Sequence, residues 1–183
     1  MSEGRITNIL ADDPAVFEIK DSPKASSKEP TYAFHEKGYW AVRLHEDAIE
    51  QEARAQLVDP DLVRAIMYVE NAHGASYGHF FEAHGVAETI LPMNINPETW
   101  GDLVEEGADF SDALVNVRAG VTLISRIQER IEKPTVAKVA SVYIFTGREN
   151  VNDYGARVAE VYAKRMWQQV PRESANPLVN EAP

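Results

Sequence analysis

The chain has 183 residues, a length suited to one domain rather than two. It carries 29 Asp and Glu against 18 Lys and Arg, a formal charge of −11 that argues against nonspecific nucleic-acid binding and against adhesion to anionic membranes through bulk charge. An apolar share of 44% supplies a core, no run reaches the ~18 apolar residues of a membrane span, and the lack of cysteine excludes disulfides, a thiol nucleophile and thiolate metal sites.

The opening residues, Met1-Ser2-Glu3-Gly4-Arg5-Ile6-Thr7, show no basic segment followed by an apolar stretch, so no conventional secretory signal is expected. Residues 1–30 read as a weakly ordered arm, because 21–30 is polar and contains Pro23 and Pro30. Helix formers predict a helix over 44–57. The next helix starts at Asp59, a capping residue, with Pro60 in the first helical position, and Gly74 is its natural stop. A strand, or a short β-hairpin, is arguable only over 88–95. Asn96-Pro97-Glu98 opens a short helix holding Trp100. Ser111-Asp112 opens a long one, with Leu114, Val117, Val121, Ile124, Ile127 and Ile131 on one stripe. Pro134-Thr135 and Asn152-Asp153 open two more. Residues 171–183 contain Pro171, Pro177 and Pro183 and read as a loose tail. The fold class is mainly α, with the ordered domain over 31–170.

On a wheel of ~100° per residue, Leu62, Val63, Ala65, Ile66, Met67 and Val69 form one broad arc, and Asp61, Arg64 and Tyr68 lie opposite. Glu70 falls inside the apolar arc. A carboxylate there is costly unless paired or protonated, and burial raises its pKa toward the range a general acid needs near neutrality. The competing reading of the same wheel is a Glu paired with a buried base, or one at the rim of the stripe.

Four segments bear on that choice. Val58-Asp59-Pro60-Asp61-Leu62-Val63-Arg64-Ala65-Ile66-Met67-Tyr68-Val69-Glu70-Asn71 resembles the opening helix of the lysozyme-like lytic transglycosylase domain, in which the catalytic Glu follows a D-P-x-L-V-x-A-I run. Met93-Asn94-Ile95-Asn96-Pro97 resembles that family's M-Q-I-N-P turn beside the cleft. Asn116-Val117-Arg118-Ala119-Gly120 is similar to its N-I-x-A-G helix. Ala140-Ser141-Val142-Tyr143, with Tyr154-Gly155-Ala156-Arg157-Val158, resembles the closing A-x-Y-N and Y-G-x-x-V signature of phage-type and secreted members. The segments keep the family's order over 57–164. Departures are Asn71 for the family's Ser, Leu91-Pro92-Met93-Asn94 for its G-L-M-Q, and Ile144 for the Asn after its Tyr. They border the cleft and bear on activity more than on fold.

The resemblance implies a lysozyme-like helical domain acting on the bond between N-acetylmuramic acid and N-acetylglucosamine in peptidoglycan. Glu70 would be the catalytic acid and base, and Asn71, Tyr77, Met93, Asn94, Ile95 and Tyr143 would contact substrate. Asn94 would bond the sugar or Glu70. Tyr143 also suits ordinary core packing, and Tyr77 and Trp100 suit sugar stacking and packing equally. A lysozyme-type hydrolase needs a second carboxylate, for which Glu82 and Glu88 are the candidates. A lytic transglycosylase needs only one Glu, and the irregular stretch 71–91 favours that mechanism, with no cofactor. A rival constellation, Glu70, His73, His79, Glu82 and His84, contains an E-x-x-H pair but matches no metal signature.

The reading is therefore a peptidoglycan-cleaving muramidase, a lytic transglycosylase acting through Glu70. The alternative is an inactive lysozyme-like module that binds peptidoglycan within a phage or secretion assembly, a reading that Asn71, Pro92 and Ile144 favour. Expected partners are glycan strands, with a phage or secretion-machine component or an inhibitor protein, and neither nucleic acid nor an integral membrane segment. Action at the cell wall or periplasm would follow release or non-conventional export.

Overall fold

The computed structural model describes residues 16–82 and 89–171, with the backbone alone over 74–82. Seven helices are present among the described residues: α1 His35–Leu44, α2 Glu46–Ala55, α3 Pro60–Glu82, α4 Pro97–Trp100, α5 Ala113–Arg130, α6 Val136–Ile144 and α7 Asp153–Lys164. Single 3₁₀ turns, Gly101–Leu103 and Met166–Gln168, follow α4 and α7. The fold is mainly α, as the periodicity predicts.

Helix starts follow the capping residues. Asn96 Oδ1 accepts from the Glu98 and Thr99 amides, Asp112 from those of Leu114 and Val115, Thr135 from Lys138 and Asn152 from Gly155. Each satisfies N–H groups that a helix start leaves unpaired. Asp59 Oδ1 takes the Asp61 amide at 2.9 Å, and Pro60 is the first residue of α3.

Helix α3 packs against α1, α2, α5 and α7. Its centre is buried all round, including Arg64 and Tyr68, which the wheel placed on an outer face. Arg64 is tolerated there because Glu46, Glu50 and Asp61 all accept from its guanidinium. The helix also continues through Gly74 to Glu82. A glycine inside a helix costs about 1 kcal/mol but does not end it.

Two further expectations are corrected. The helix expected over 44–57 is α2 alone, ending at Ala55, and α1 precedes it across a break at His45. No side chain caps α1. It is held instead by contact with α3, where a Cβ on Gly38 would lie 2.6 Å from the Tyr68 carbonyl oxygen. The arm expected over 1–30 is, in its described part, a strap bound to the domain. Phe17 bridges Ile131, Lys20 bridges Asn150, and Ile19 is fully buried. Asp153 accepts from the Ser26 amide at 2.9 Å, and Glu29 meets His73 at 2.7 Å. Composition alone hides this, because backbone bonds, one buried isoleucine and two side-chain contacts do the holding. Residues 1–15 and 172–183 lie outside the described residues.

The segment expected as a strand or hairpin is a turn closed by one antiparallel bridge, in which Ile90 and Ile95 exchange amide–carbonyl bonds of 2.8 and 3.0 Å. The Leu91-Pro92 bond is cis, and Asn94 is left-handed with φ 57°. Among the described residues, no helix is long and apolar enough to cross a membrane.

Candidate active site

Glu70 sits on α3 with 1% of its surface exposed and meets Tyr154 in the first turn of α7. Tyr154 Oη donates to its Oε1 at 2.5 Å, and the Asn94 side chain supplies a second hydrogen bond. Burial raises its pKa, the two hydrogen bonds pull the other way, and burial wins: the carboxyl is pushed up to about 7. Glu70 opens onto a cleft of about 210 Å³ shared with Asn94, Trp100, Tyr143, Phe145 and Thr146. Among the described residues lining that cleft, Glu70 is the only carboxylate. A group half protonated near neutrality, held at two points and opening onto a cleft, can deliver a proton and take one back.

The turn over 90–95 brings Asn94 to Glu70, and α5 fixes that turn. Buried Asn116 accepts the Met93 amide at 2.9 Å and donates to the carbonyls of Ile90 and Phe110 at 2.9 and 3.2 Å. One turn later, a Cβ on Gly120 would lie 2.8 Å from three Met93 side-chain atoms, so only glycine admits Met93 there. The Asn and Gly of the 116–120 motif thus have separate jobs, polar anchoring and close approach. Asn94 tolerates the left-handed backbone better than most residues with a Cβ.

Several residues expected to contact substrate act on this scaffold instead. Met93 and Ile95 are buried core residues, 0% and 1% exposed, and do not line the cleft. Asn71 donates to the carbonyls of Met67 and Pro92 at 2.7 and 2.9 Å, tying α3 to the turn. Tyr143 does line the cleft, but its hydroxyl donates to the Met93 carbonyl at 2.7 Å rather than to Glu70. Burial and the neighbouring Glu70 charge push its pKa well up, which keeps the phenol neutral. Trp100 lines the cleft and is largely buried. The Tyr77 side chain lies outside the described residues, as do the side chains of His79, Glu82, His84 and Glu88. The E-x-x-H pair is split: Glu70 turns to Tyr154 and Asn94, whereas His73 turns to Glu29. Among the described residues, no group of three His, Asp or Glu is placed to hold a metal ion.

Tyr154 lies in the Y-G-x-x-V segment, whose pattern by itself assigns it no role. The signal lies in its neighbour. A Cβ on Gly155 would lie 2.1 Å from Ser141 Oγ and 2.3 Å from the Ala137 carbonyl oxygen. Glycine therefore lets α7 close on α6, with Tyr154 beside it reaching Glu70, 84 residues away in sequence. A scan against protein-family models, a search of curated proteins and a search of solved structures each returned no match.

Proposed function

We propose that the chain cleaves the glycan of peptidoglycan as a lytic transglycosylase, with Glu70 as its acid and base. The observation that carries the reading is Glu70 itself: buried, held by Tyr154 and Asn94, half protonated near pH 7, and opening onto a cleft. Protonated Glu70 gives its proton to the glycosidic oxygen as the bond to the muramoyl anomeric carbon breaks. The resulting carboxylate then takes the proton of the muramoyl 6-hydroxyl as that oxygen closes on the same carbon. The products are a free 4-hydroxyl on the leaving sugar and a 1,6-anhydro end, with no water consumed. Lysozyme-type hydrolysis would call for a second carboxylate about 5–5.5 or 6.5–9.5 Å away, according to stereochemistry. The intramolecular route calls for no second carboxylate, because the substrate carries the nucleophile, and Glu70 can serve as both acid and base. On this reading the chain acts at the bacterial cell wall, with glycan strands as its partner.

Purified sacculi digested with the chain and analysed by mass spectrometry test the proposal. Anhydro ends, one water lighter than reducing ends, are expected, and they should vanish with Glu70→Gln. Exclusively reducing ends would make the activity hydrolytic. Binding to sacculi without any product would make the chain an inactive wall-binding module.

A further inference from the structure

We propose that Phe145 is a sugar-stacking platform at the mouth of the Glu70 cleft, taking the pyranose ring next to the one whose bond breaks; this rests on the glycan-cleaving reading above. Lone exposed apolar residues are ordinary and need no explanation. Phe145 differs in two ways. It borders the same cleft as Glu70 while remaining 50% exposed, whereas Trp100 and Tyr143, the other aromatic residues among the described ones that line it, are 9% and 7% exposed. Its ring is also held. A Cβ on Gly147 would lie 2.7 Å from Phe145 Cε1, so the ring rests where only glycine leaves room. The Arg148 guanidinium carbon lies 5.2 Å from the ring centroid, within cation–π range. An exposed ring fixed by its own loop is preorganised for contact.

Cleft size argues for a sugar at this mouth. About 210 Å³ is below the ~300–1,000 Å³ of sites that swallow a drug-sized ligand. It suits a single pyranose, so the next sugar of a strand must lie outside, over the rim. Sugars present an apolar C–H face and a polar edge. The cleft offers both complements, an aromatic ring in Phe145 and polar side chains in Asn94 and Thr146. Backbone direction places the ring there: α6 ends at Ile144, and Phe145 leaves the helix extended at φ −157°, ψ 106°.

The test measures binding of N-acetylmuramic acid and of the peptide-free peptidoglycan disaccharide by calorimetry, in a Glu70→Gln background so that nothing is cleaved. The full chain should prefer the disaccharide. Phe145→Ala and Phe145→Leu should each weaken disaccharide binding roughly two- to ten-fold while leaving the monosaccharide unchanged, the range expected for one aromatic contact. Gly147→Ala, which displaces the ring, should do the same, and Phe145→Trp should retain the parent preference. Unchanged disaccharide affinity in Phe145→Ala would overturn the inference and leave the glycan reading standing. Equal loss for both sugars, with or without a lowered melting temperature, would show a merely structural phenylalanine and overturn it as well. No binding of either sugar by the parent would overturn the glycan reading, and this inference with it.

Discussion

At the scale of single residues, the cost of burying Glu70 and its use are the same fact. An ordinary carboxyl titrates near 4.5, and Glu70 near 7. Because the folded pKa is raised, the favourable contribution of the neutral form is complete below about 4.5 and is lost as pH rises through about 7. Glu70→Gln, which cannot ionise, should match the parent in acid and become the more stable protein in alkali. The gap should approach about 3 kcal/mol as an upper bound. Urea melts across that pH range check this, and a gap that does not widen with pH would mean Glu70 does not titrate there. Tyr154→Phe removes one of the hydrogen bonds that pull the Glu70 pKa down. Its alkaline limb of activity should therefore move to higher pH, with a lower plateau because the carboxyl is held less firmly. A pH–rate profile superimposable on that of the parent would assign Tyr154 to packing alone.

At the scale of elements, the site is a turn clamped between helices. Asn116→Ala leaves the Met93 amide and the Phe110 carbonyl to find new partners, at about 1–3 kcal/mol for each buried group left unpaired, while the Ile90 carbonyl keeps the Ile95 amide. It should destabilise by roughly 2–5 kcal/mol and lower activity further by freeing Asn94. Gly155→Ala should cost about 3 kcal/mol or more, because one obstacle, the Ala137 carbonyl, is backbone and cannot rotate away. Gly101→Ala is the control: nothing lies within 4 Å of a Cβ there, and its φ of −54° suits alanine, so it should be neutral or slightly stabilising. Chemical denaturation of the three variants checks the ranking. Local chemistry accounts for what was legible at this scale. Asn96, Asp112, Thr135 and Asn152 each announce a helix a few residues ahead, and Glu70 betrays itself by its place on an apolar arc. Helix α1 lacks a cap and depends on α3, so nothing local announces it. Tyr154 meets Glu70 through the packing of α7 on α3 and α6, which brings together residues 84 apart in sequence. The burial of Met93 and Ile95 is illegible for a related reason: a motif shows that a turn matters, but not which of its side chains face inward.

At the scale of the whole molecule, the described part of the N-terminal segment ties together parts of the chain far apart in sequence. Between Phe17 and Phe34 it bonds to the end of α5, the loop before α7, the start of α7 and the middle of α3. Ile19 is its fully buried apolar residue, with Phe17 and Ala25 packed beside it less deeply. Ile19→Ala should therefore cost about 2–5 kcal/mol, while Val16→Ala, three residues earlier and 63% exposed, should change stability little. Equal melting temperatures for the two variants would return the segment to the status of a loose arm. The strap's attachment to α3 includes the Glu29 carboxylate. Burial of Glu29 pushes its pKa up, but the hydrogen bond and charge of His73, aided by His35 and Arg157, outweigh this and leave it lowered. A lowered folded pKa means stability present above the ordinary value of 4.5 and lost as pH falls through the folded one. Glu29→Gln should accordingly lower the melting temperature at neutral pH, and the difference from the parent should close in acid as the parent's own Glu29 takes up its proton. The pH midpoint of that closure should lie below 4.5. Hydrogen exchange at the amides of Phe17, Lys20 and Ser26, which bond to the domain, is a second readout. Faster exchange in Glu29→Gln would show that the contact with α3 holds the segment along its length, and parent-like exchange would confine the effect to the Glu29 contact itself.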